Sequence, residues 1–299
     1  MTELLRIAQE VQQALHDGGA VVALETTLVA HGFPPGVGVE VGLGAEAAVR
    51  SEGAVPATVG VLDGAVAVGL GEDELARFGE AGREARKAGP RDLASCVATR
   101  ELGATTVGGT LAAARLAGIR FMGTGGIGGV HRGWGERPDV SADLAQLART
   151  PALVVSSGIK SLLDVPATAE LLETLGVPVL GYRTDELPLF YSAGGGPPVS
   201  ARVDSADQAA RTAAAHWELG GASLLLAQDA DDGIDVAPLI EEALAEAAAQ
   251  GVRGQALTPF VLSFLHERSG GRTLEVNRRL IVANARLAAE AAVAASAIR

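Results

Sequence analysis

The chain has little cysteine and little aromatic character. Cys96 is the one cysteine among 299 residues, and phenylalanine, tryptophan and tyrosine together make up 3% of the sequence. A single cysteine excludes an internal disulfide and any zinc or iron–sulfur site that needs several cysteines, and it fits a reducing compartment. Sites for hard metal ions, which prefer oxygen ligands, remain open.

Positive charge is also scarce. The 24 lysines and arginines stand against 36 aspartates and glutamates, so the formal net charge is -12. An acidic protein is a poor partner for a nucleic-acid backbone or an anionic membrane. We therefore expect a small-molecule partner, with no nucleic acid and no membrane, and any phosphate must be bound by a local cluster of donors.

Long hydrophobic runs are missing as well. Uncharged segments such as "FMGTGGIGGV" and "LPLFYSAGGGPPVSA" are too short or too rich in glycine and proline to cross a bilayer, which takes about 20 apolar residues. The first segment, "MTELLRIAQEVQQALHDGG", is charged throughout, and its apolar residues at helical spacing predict a helix that is neither a signal nor an anchor. We expect a cytoplasmic protein without a transmembrane segment.

Short apolar runs alternate with amphipathic segments along the chain, at an overall hydrophobic content of 48%. The runs predict strands, and they are "AVVALE" (20–25), "ATTV" (104–107), "IRFMGT" (119–124), "ALVVSS" (152–157), "VPVLGY" (177–182) and "ASLLLA" (222–227). The segments between them predict helices, and they include "DLASCVATRELG", "SADLAQLART", "TAELLETLG" and "SADQAARTAAAHWELGG".

This alternation predicts an α/β protein, an α/β/α sandwich around a mainly parallel sheet. The Asp63-Gly64 pair between alternating apolar residues predicts a hairpin at the side of the sheet. From "IDVAPLIEEALAEAAAQG" onward the chain reads as mostly helical. No linker or composition shift divides the chain, so we expect one domain over residues 1–299, with "YSAGGGPPVS" (191–200) as a lid or a plain connection.

Polar residues first interrupt the apolar pattern in "ALETTLVAHG". Glu25 closes a predicted strand, and Thr26, Thr27 and His31 follow it. A glutamate that enters a crevice has its pKa raised by desolvation and can act as a general acid or base. A surface carboxylate at a strand end is an equally ordinary interpretation of Glu25.

A glycine-rich segment, "GTGGIGGVHRG" (123–133), follows the predicted strand "IRFM". Its successive backbone N–H groups can form an anion-binding nest. Gly123, Gly125 and Gly128 also match the dinucleotide pattern G-x-G-x-x-G, which expects an acidic residue at the end of the next strand. That strand ends in Ser156 and Ser157, so we discount the dinucleotide interpretation.

Two aspartates precede the next predicted helix in "RPDVSADL". Ser141 is a plausible N-cap, and the amides after it offer a helix terminus to a phosphate or carboxylate. Asp139 and Asp143 are spaced so that one can hold a hard divalent cation while the other faces substrate. Acidic residues are also favoured near any helix N-terminus for dipole reasons alone.

Two lysines complete the set. Lys160, in "VVSSGIKSLLD", follows a predicted strand, and Lys87 lies in "REARKAGPRD". One ammonium can bind a phosphate while the other, in its neutral form, attacks a carbonyl carbon. By position alone, Lys160 also fits a solvated lysine in a helix first turn.

The blocks "ALETTLVAHG", "GAVPATVGVLDG", "PRDL", "GATTVGGT", "TGGIGGVHRG", "DVSADL", "GIKSLLD", "GVPVLGYRTDELPLF" and "TPFVLSFL" follow one another in a familiar order. Together they resemble the pseudouridine-5'-phosphate glycosidases, a family that includes the indigoidine synthase A-like proteins. The resemblance runs from about Leu4 to the C-terminal helix. It implies reversible cleavage of the C–C glycosidic bond of pseudouridine 5'-phosphate to uracil and ribose 5-phosphate.

The resemblance also implies roles for individual residues. Lys160 matches the nucleophile that forms an imine with the ring-opened ribose, Glu25 matches the proton donor, and Asp139 matches the ligand of Mn²⁺. Substrate contacts carry over to Lys87, Val107, Ser141, Ala142 and Asp143, and also to His131 and Asn277, which lie in matching blocks. The family suggests a homotrimer.

This chain departs from the family pattern at several places. After Gly32 the family often has a methionine, an aromatic residue and a proline–glutamine–asparagine run, whereas this chain reads "FPPGVGVEVG". "SSGIKS" and "KAGPRD" also replace the more usual "CAGAKS" and "KVSRRD". None of these changes removes a proposed chemical group, but they can alter substrate affinity or access.

Two other functions fit parts of the sequence. An aldolase-like Schiff-base enzyme acting on another sugar phosphate would keep Lys160 and the phosphate nest without recognising uracil. A non-catalytic sugar-phosphate-binding regulator could use the same fold, because fold alone does not determine function. Only the glycosidase interpretation accounts for all the blocks together.

Overall fold

The computed structural model describes residues 4–136, 138–192, 194–230, 233–252 and 256–298. The strands in these ranges, numbered in chain order, are β1 Leu5–Ile7, β2 Val21–Glu25, β3 Val55–Leu62, β4 Ala65–Val68, β5 Arg86–Ala88, β6 Gly103–Thr105, β7 Phe121–Gly123, β8 Leu153–Ser156, β9 Val179–Tyr182, β10 Glu186–Pro188, β11 Gly195–Pro198, β12 Ala201–Val203 and β13 Leu224–Gln228.

The helices lie between and after these strands. They are α1 Gln9–His16, α2 Thr27–His31, α3 Val37–Ser51, α4 Glu72–Ala81, α5 Leu93–Thr99, α6 Val107–Ala117, α7 Ala142–Leu147, α8 Val165–Thr174, α9 Ala206–Glu218, α10 Ala237–Ala249, α11 Leu257–Arg268 and α12 Arg272–Ser296. A short 3-10 helix spans Gly82–Glu84. No described helix is long and apolar enough to cross a membrane.

One large sheet organises the molecule, in the strand order β1-β4-β3-β2-β7-β8-β13-β9-β12. Its central pairs are parallel, whereas β3 pairs antiparallel with β4 and β6. Strands β10 and β11 form a separate antiparallel pair. With helices on both sides of the sheet and a helical C-terminal part, the predicted fold class is confirmed.

The register of the central strands brings their carboxyl ends together. Leu24 of β2 pairs with Gly123 of β7, and Gly123 pairs with Val155 of β8. Ligands of open α/β sheets bind outside the carboxyl ends of strands. The segments that follow β2, β7 and β8 therefore meet at the edge where a ligand is expected.

The long helix α12 packs on these same strands and also contacts α3 and α9. A Cβ on Gly123 would lie 2.9 Å from the Cα of Ala285, so α12 approaches β7 too closely for any side chain there. The core around this contact is built from small and branched residues, which suits a sheet buried on both faces.

The predicted hairpin is confirmed as β3 and β4, near one end of the large sheet. Asp63 and Gly64 both have positive φ, 55° and 83°, as a two-residue type I′ turn requires. Asp63 tolerates this conformation better than most residues, and glycine adopts it freely.

Two predicted boundaries were wrong. The first segment was expected to be helical from Leu4, but Leu5–Ile7 forms β1, which pairs with β4, and α1 begins at Gln9. The run "ATTV" was expected to be a strand through Val107, but β6 ends at Thr105 and Val107 opens α6. The side chain of Thr106 accepts a hydrogen bond from the Gly109 amide at 3.2 Å, and this N-cap ends the strand.

Candidate active site

A cavity at the carboxyl ends of the central strands gathers several of the residues named from the sequence. It is lined by Glu25, Lys87, Lys160 and Asn277, together with Gly125 and Gly126 of the glycine-rich segment. Helix α11 closes one side with Thr258, Pro259 and Leu262. Distant parts of the chain therefore bring one carboxyl group and two amines into the same crevice.

Glu25 is the last residue of β2 and is 5% exposed. Its carboxylate accepts a hydrogen bond from the hydroxyl of Thr124, which follows β7. Burial raises the pKa of Glu25, and this outweighs the lowering by the charge of Lys160 and by the Thr124 hydrogen bond. A carboxyl group that keeps its proton to higher pH is suited to donate it during a reaction.

Lys87 lies in the middle of β5 and is half-buried. Burial lowers the pKa of Lys87, and the charge of Lys160 lowers it further, against the opposing effects of Asp143 and Glu25. Lys87 is therefore more readily neutral than a surface lysine.

Lys160 lies in the loop between β8 and α8, so the first-turn position considered from the sequence does not apply. The flanking residues anchor this loop: Ile159 bridges to Ile127 of the glycine-rich segment, and Gly158 bridges to Leu189. The Lys160 amide donates to the Ile127 carbonyl at 3.4 Å. The backbone that carries the half-buried amine is thus fixed on two sides.

Asp143 is 4% exposed and joins two segments of the site. Its carboxylate accepts hydrogen bonds from the Gly108 amide in α6 at 2.7 Å and from the Gly128 amide at 2.9 Å. The expected anion nest therefore already receives a carboxylate of the protein at Gly128. Val107, the first residue of α6, is buried beside this contact at 1% exposure.

Ser141 is the N-cap of α7, as its position in the sequence predicts, and its hydroxyl accepts a hydrogen bond from the Asp143 amide at 3.2 Å. Ala142 follows it and is exposed. No helix opens at the glycines of G-x-G-x-x-G, since the next helix along the described chain begins at Ala142. This geometry agrees with discounting the dinucleotide interpretation.

His131 and Asp139 lie together at the edge of the site, outside the lining of the cavity. The His131 amide donates to the Asp139 carbonyl at 2.9 Å, and both residues are half-buried. Burial lowers the pKa of His131, Asp139 raises it, and the charges of Lys87 and Lys160 lower it. Among the described residues, no three histidine, cysteine, aspartate or glutamate side chains are grouped as a metal site.

A polar network behind the cavity was not predicted from the sequence. Asn284 of α12 donates to the Thr124 carbonyl at 2.8 Å and accepts from Gln228 of β13 at 2.7 Å. Thr124 in turn donates to Glu25. Asn284 lies seven positions after Asn277, so two asparagines on the buried face of one long helix were the available signal.

Two further lining residues were given no role from the sequence. His31, noted there only as following Glu25, ends α2 inside the cavity, and the ring of Phe190 packs against Gly126. Phe190 has a positive φ of 64°. An aromatic residue in the left-handed region is strained, and such strain is typical of functional sites. The loop 191–200, expected as a lid or a connection, contains β11, while its residue 193 lies outside the described residues.

The architecture and the cavity define an α/β protein with a site for a small molecule. The family model described as "Indigoidine synthase A like protein" matches residues 10–294. The chain is 47% identical to the pseudouridine-5'-phosphate glycosidase of Myxococcus xanthus, over 97% of this chain and 98% of the relative. It is also 47% identical to the enzyme of that name from Herpetosiphon aurantiacus, over 98% of each.

Solved structures agree with these sequence matches. The prealnumycin C-glycosynthase AlnA, crystallised in complex with ribulose 5-phosphate, superposes with a TM-score of 0.90 at 41% identity, over 100% of this chain and 99% of that one. An indigoidine synthase A-like protein from Thermotoga maritima gives a TM-score of 0.87 at 36% identity, over 97% and 96%. The chain belongs to the indigoidine synthase A-like family of pseudouridine-5'-phosphate glycosidases and is an enzyme.

Proposed function

We propose that this enzyme reversibly cleaves the C–C glycosidic bond of pseudouridine 5'-phosphate, giving uracil and ribose 5-phosphate. The observation that carries the proposal is the shared cavity of Glu25, Lys87 and Lys160 in a chain that belongs to this family. An acid, an amine nucleophile and a second cation are the minimum set for this reaction. The two-carboxylate mechanism of ordinary glycosidases needs a leaving oxygen, which a C–C bond does not offer.

Lys160 is the proposed nucleophile. Its neutral amine attacks C1' of the ribose, the C1'–O4' bond opens, and one amine proton passes to O4'. The C1'–C5 bond to the base then breaks as C5 gains a proton, and the sugar remains bound to Lys160 as an imine. Water releases ribose 5-phosphate and regenerates the amine.

Glu25 is the proposed proton donor to the base carbon. Support comes from its place in the same cavity and from the burial that raises its pKa, because a carboxyl group with a raised pKa keeps its proton to higher pH than a surface glutamate does. In the reverse direction the same group, as a carboxylate, takes the proton from C5 after the new bond forms.

Lys87 is proposed to contact the phosphate. Its pKa is lowered by burial and by Lys160, and a bound phosphate would favour its charged form again. The other proposed substrate contacts are Val107, Ser141, Ala142, Asp143, His131 and Asn277. Binding the phosphate away from the broken bond holds C1' in position against the amine.

We further propose that Asp139 holds Mn²⁺. A half-buried carboxylate with an oxygen donor suits this hard cation, although the described residues around it offer no set of three ligands, so waters must complete the shell. The bound ion would supply positive charge beside Asp139 for an anionic ligand. Electron paramagnetic resonance of Mn²⁺ titrated into the protein and into Asp139→Ala tests this assignment, since retained binding by the variant would contradict it.

Two proposals concern the whole protein. We propose that it works in the cytoplasm, since a single cysteine fits a reducing compartment, and that it assembles as a homotrimer, as the resemblance to the family implies. Sedimentation equilibrium measures the assembly directly, and a monomer or dimer at micromolar concentration would contradict the trimer.

Product analysis tests the proposed reaction. The protein is incubated with uracil, ribose 5-phosphate and Mn²⁺, and pseudouridine 5'-phosphate is identified by its mass and by its resistance to N-glycosidases. We expect this product from the wild type and none from Lys160→Ala of equal thermal stability. Turnover of ribose 5-phosphate without uracil would favour the aldolase-like alternative, and binding without turnover would favour the regulator.

A further inference from the structure

A histidine in the cavity has a ring nitrogen without a partner. His31 ends α2 and lines the same cavity as Glu25 and Lys160. Its Nε2 is buried and has no hydrogen-bond partner among the described residues. A buried polar atom without a partner is unfavourable, so such an atom in a binding site indicates a partner supplied by the ligand.

The tautomer of the His31 ring is assigned from its surroundings. The backbone of Ala85 hydrogen-bonds to the ring and favours a ring N–H. Nε2 has no partner, so the hydrogen of the neutral ring is assigned to Nδ1. Burial lowers the pKa of His31, and the charges of Lys87 and Arg83 lower it further. The imidazole is thus neutral near pH 7, and Nε2 presents a lone pair.

Asn277 offers a second acceptor in the same cavity. Its Oδ1 is also buried and lacks a partner among the described residues. Three apolar side chains also line the cavity and suit the faces of a planar ring: Leu28, Phe33 and Leu262. The cavity therefore combines two hydrogen-bond acceptors with apolar lining.

We propose that Nε2 of His31 accepts a hydrogen bond from a ring N–H of the pyrimidine base, with Oδ1 of Asn277 facing the other, so that His31 is a specificity residue for the base. The proposal rests on the function proposed above. A uracil bonded to the sugar through carbon keeps two ring N–H groups, whereas one bonded through nitrogen keeps one. The two unpartnered acceptors match the two N–H groups of the carbon-linked base. When the nitrogen-linked base is bound, one of the two acceptors stays without a partner.

Steady-state kinetics in the synthetic direction tests this role. We expect His31→Leu to raise KM for uracil by about 10- to 100-fold, as for loss of one buried hydrogen bond, and to leave KM for ribose 5-phosphate within about twofold. His31→Gln restores an acceptor and should recover part of the loss. Borohydride trapping of ribose 5-phosphate should proceed equally in both variants, because this step does not involve the base.

Methylated bases identify the contact more directly. Because each acceptor faces one ring N–H, the wild type should discriminate against both 1-methyluracil and 3-methyluracil relative to uracil, and His31→Leu should lose the discrimination against one of them. His266→Leu is the matched control, because Nε2 of His266 is also buried and unpartnered among the described residues, but His266 does not line this cavity. We expect this control to keep the wild-type discrimination.

Three results would overturn the role of His31: an unchanged KM for uracil in His31→Leu, an equal rise in KM for both substrates, or discrimination among methyluracils that survives the substitution. Each of these three results differs from failure of the proposed function. If the proposed function fails, the wild type itself makes no pseudouridine 5'-phosphate from uracil and ribose 5-phosphate.

Discussion

At the residue scale, the site depends on charges that are buried close to one another. Burial favours the neutral form of both Glu25 and Lys87, and the charge of Lys160 opposes this effect at Glu25 and adds to it at Lys87. The neutral forms of Glu25 and Lys87 are therefore more populated than those of the same side chains at the protein surface. Such groups are poised for acid–base chemistry and are costly for the folded state when ionised.

Replacing Glu25 should separate its effect on catalysis from its effect on the stability of the folded state. The raised pKa means that the folded state holds a proton that the unfolded state releases, so stability falls as pH rises from the unfolded pKa through the folded one. We expect Glu25→Gln to raise Tm at pH 8 by about 2–4 °C, with the gain disappearing toward pH 4. Synthesis of pseudouridine 5'-phosphate should fall by about 10²- to 10⁴-fold.

Glu46 provides a matched control for this measurement. Its carboxylate accepts a hydrogen bond from Thr58, and burial raises the pKa of Glu46 as it does that of Glu25, but it does not line the cavity. Glu46→Gln should show a similar pH-dependent gain in Tm with activity retained. Full activity in Glu25→Gln would contradict its role as the acid.

At the scale of elements, the loop after β8 carries the central residue. Gly158 has a φ of 78°, and a Cβ added to it would lie 2.1 Å from the Pro188 carbonyl oxygen. The loop therefore passes directly against the segment that ends in Phe190, whose amide donates to the Ser157 carbonyl at 3.0 Å. Glycine is needed here for both its conformation and its lack of a side chain.

Alanine at Gly158 should disrupt this loop. We expect Gly158→Ala to lower Tm by about 10 °C and to abolish sugar trapping at Lys160, because the clash with backbone can be relieved only by moving the loop. Gly118→Ala is the control: Gly118 has a similar φ of 81° but no atom within 4 Å of the added Cβ. Gly118→Ala should lower Tm by only about 2–4 °C and keep its activity. An equal fall in Tm in both variants would contradict the proposed role of Gly158 in the loop.

The sequence predicted the central strands and the hairpin well, because these elements have strong local patterns. The sequence-based prediction was wrong where pairing with distant residues determines the secondary structure of a segment. Leu5–Ile7 became a strand because β4 offers an unpaired edge, and no local pattern reports that edge. Lys160 follows a predicted strand, but the bridges that hold its loop come from residues 127 and 189.

The site was predictable to a similar degree. Glu25, Lys87, Lys160 and Asn277 do meet in one cavity, yet local patterns alone did not bring them together, and the order of the motif blocks did. The pairing of Asp143 with the Gly108 and Gly128 amides depends on how α6 and α7 pack, which the sequence does not reveal. The partnerless Nε2 of His31 is likewise visible only in three dimensions.

At the scale of the whole molecule, a net charge of -12 surrounds a cavity that holds two lysines. An acidic protein repels anionic ligands at long range, so binding of a sugar phosphate must come from short-range contacts in the cavity. That the chain folds as one domain over residues 1–299 remains a prediction, although α12 contacts strands and helices far apart in sequence.

The most direct test of the account is to trap the sugar on the enzyme. Wild type, Lys160→Ala and Lys87→Ala are incubated with ribose 5-phosphate and borohydride, and the intact mass and the modified peptide are determined. We expect a reduced sugar-phosphate adduct on Lys160 in the wild type, a weaker one in Lys87→Ala, and none in Lys160→Ala. An adduct on Lys87, or no adduct on folded wild-type protein supplied with Mn²⁺, would contradict Lys160 as the nucleophile.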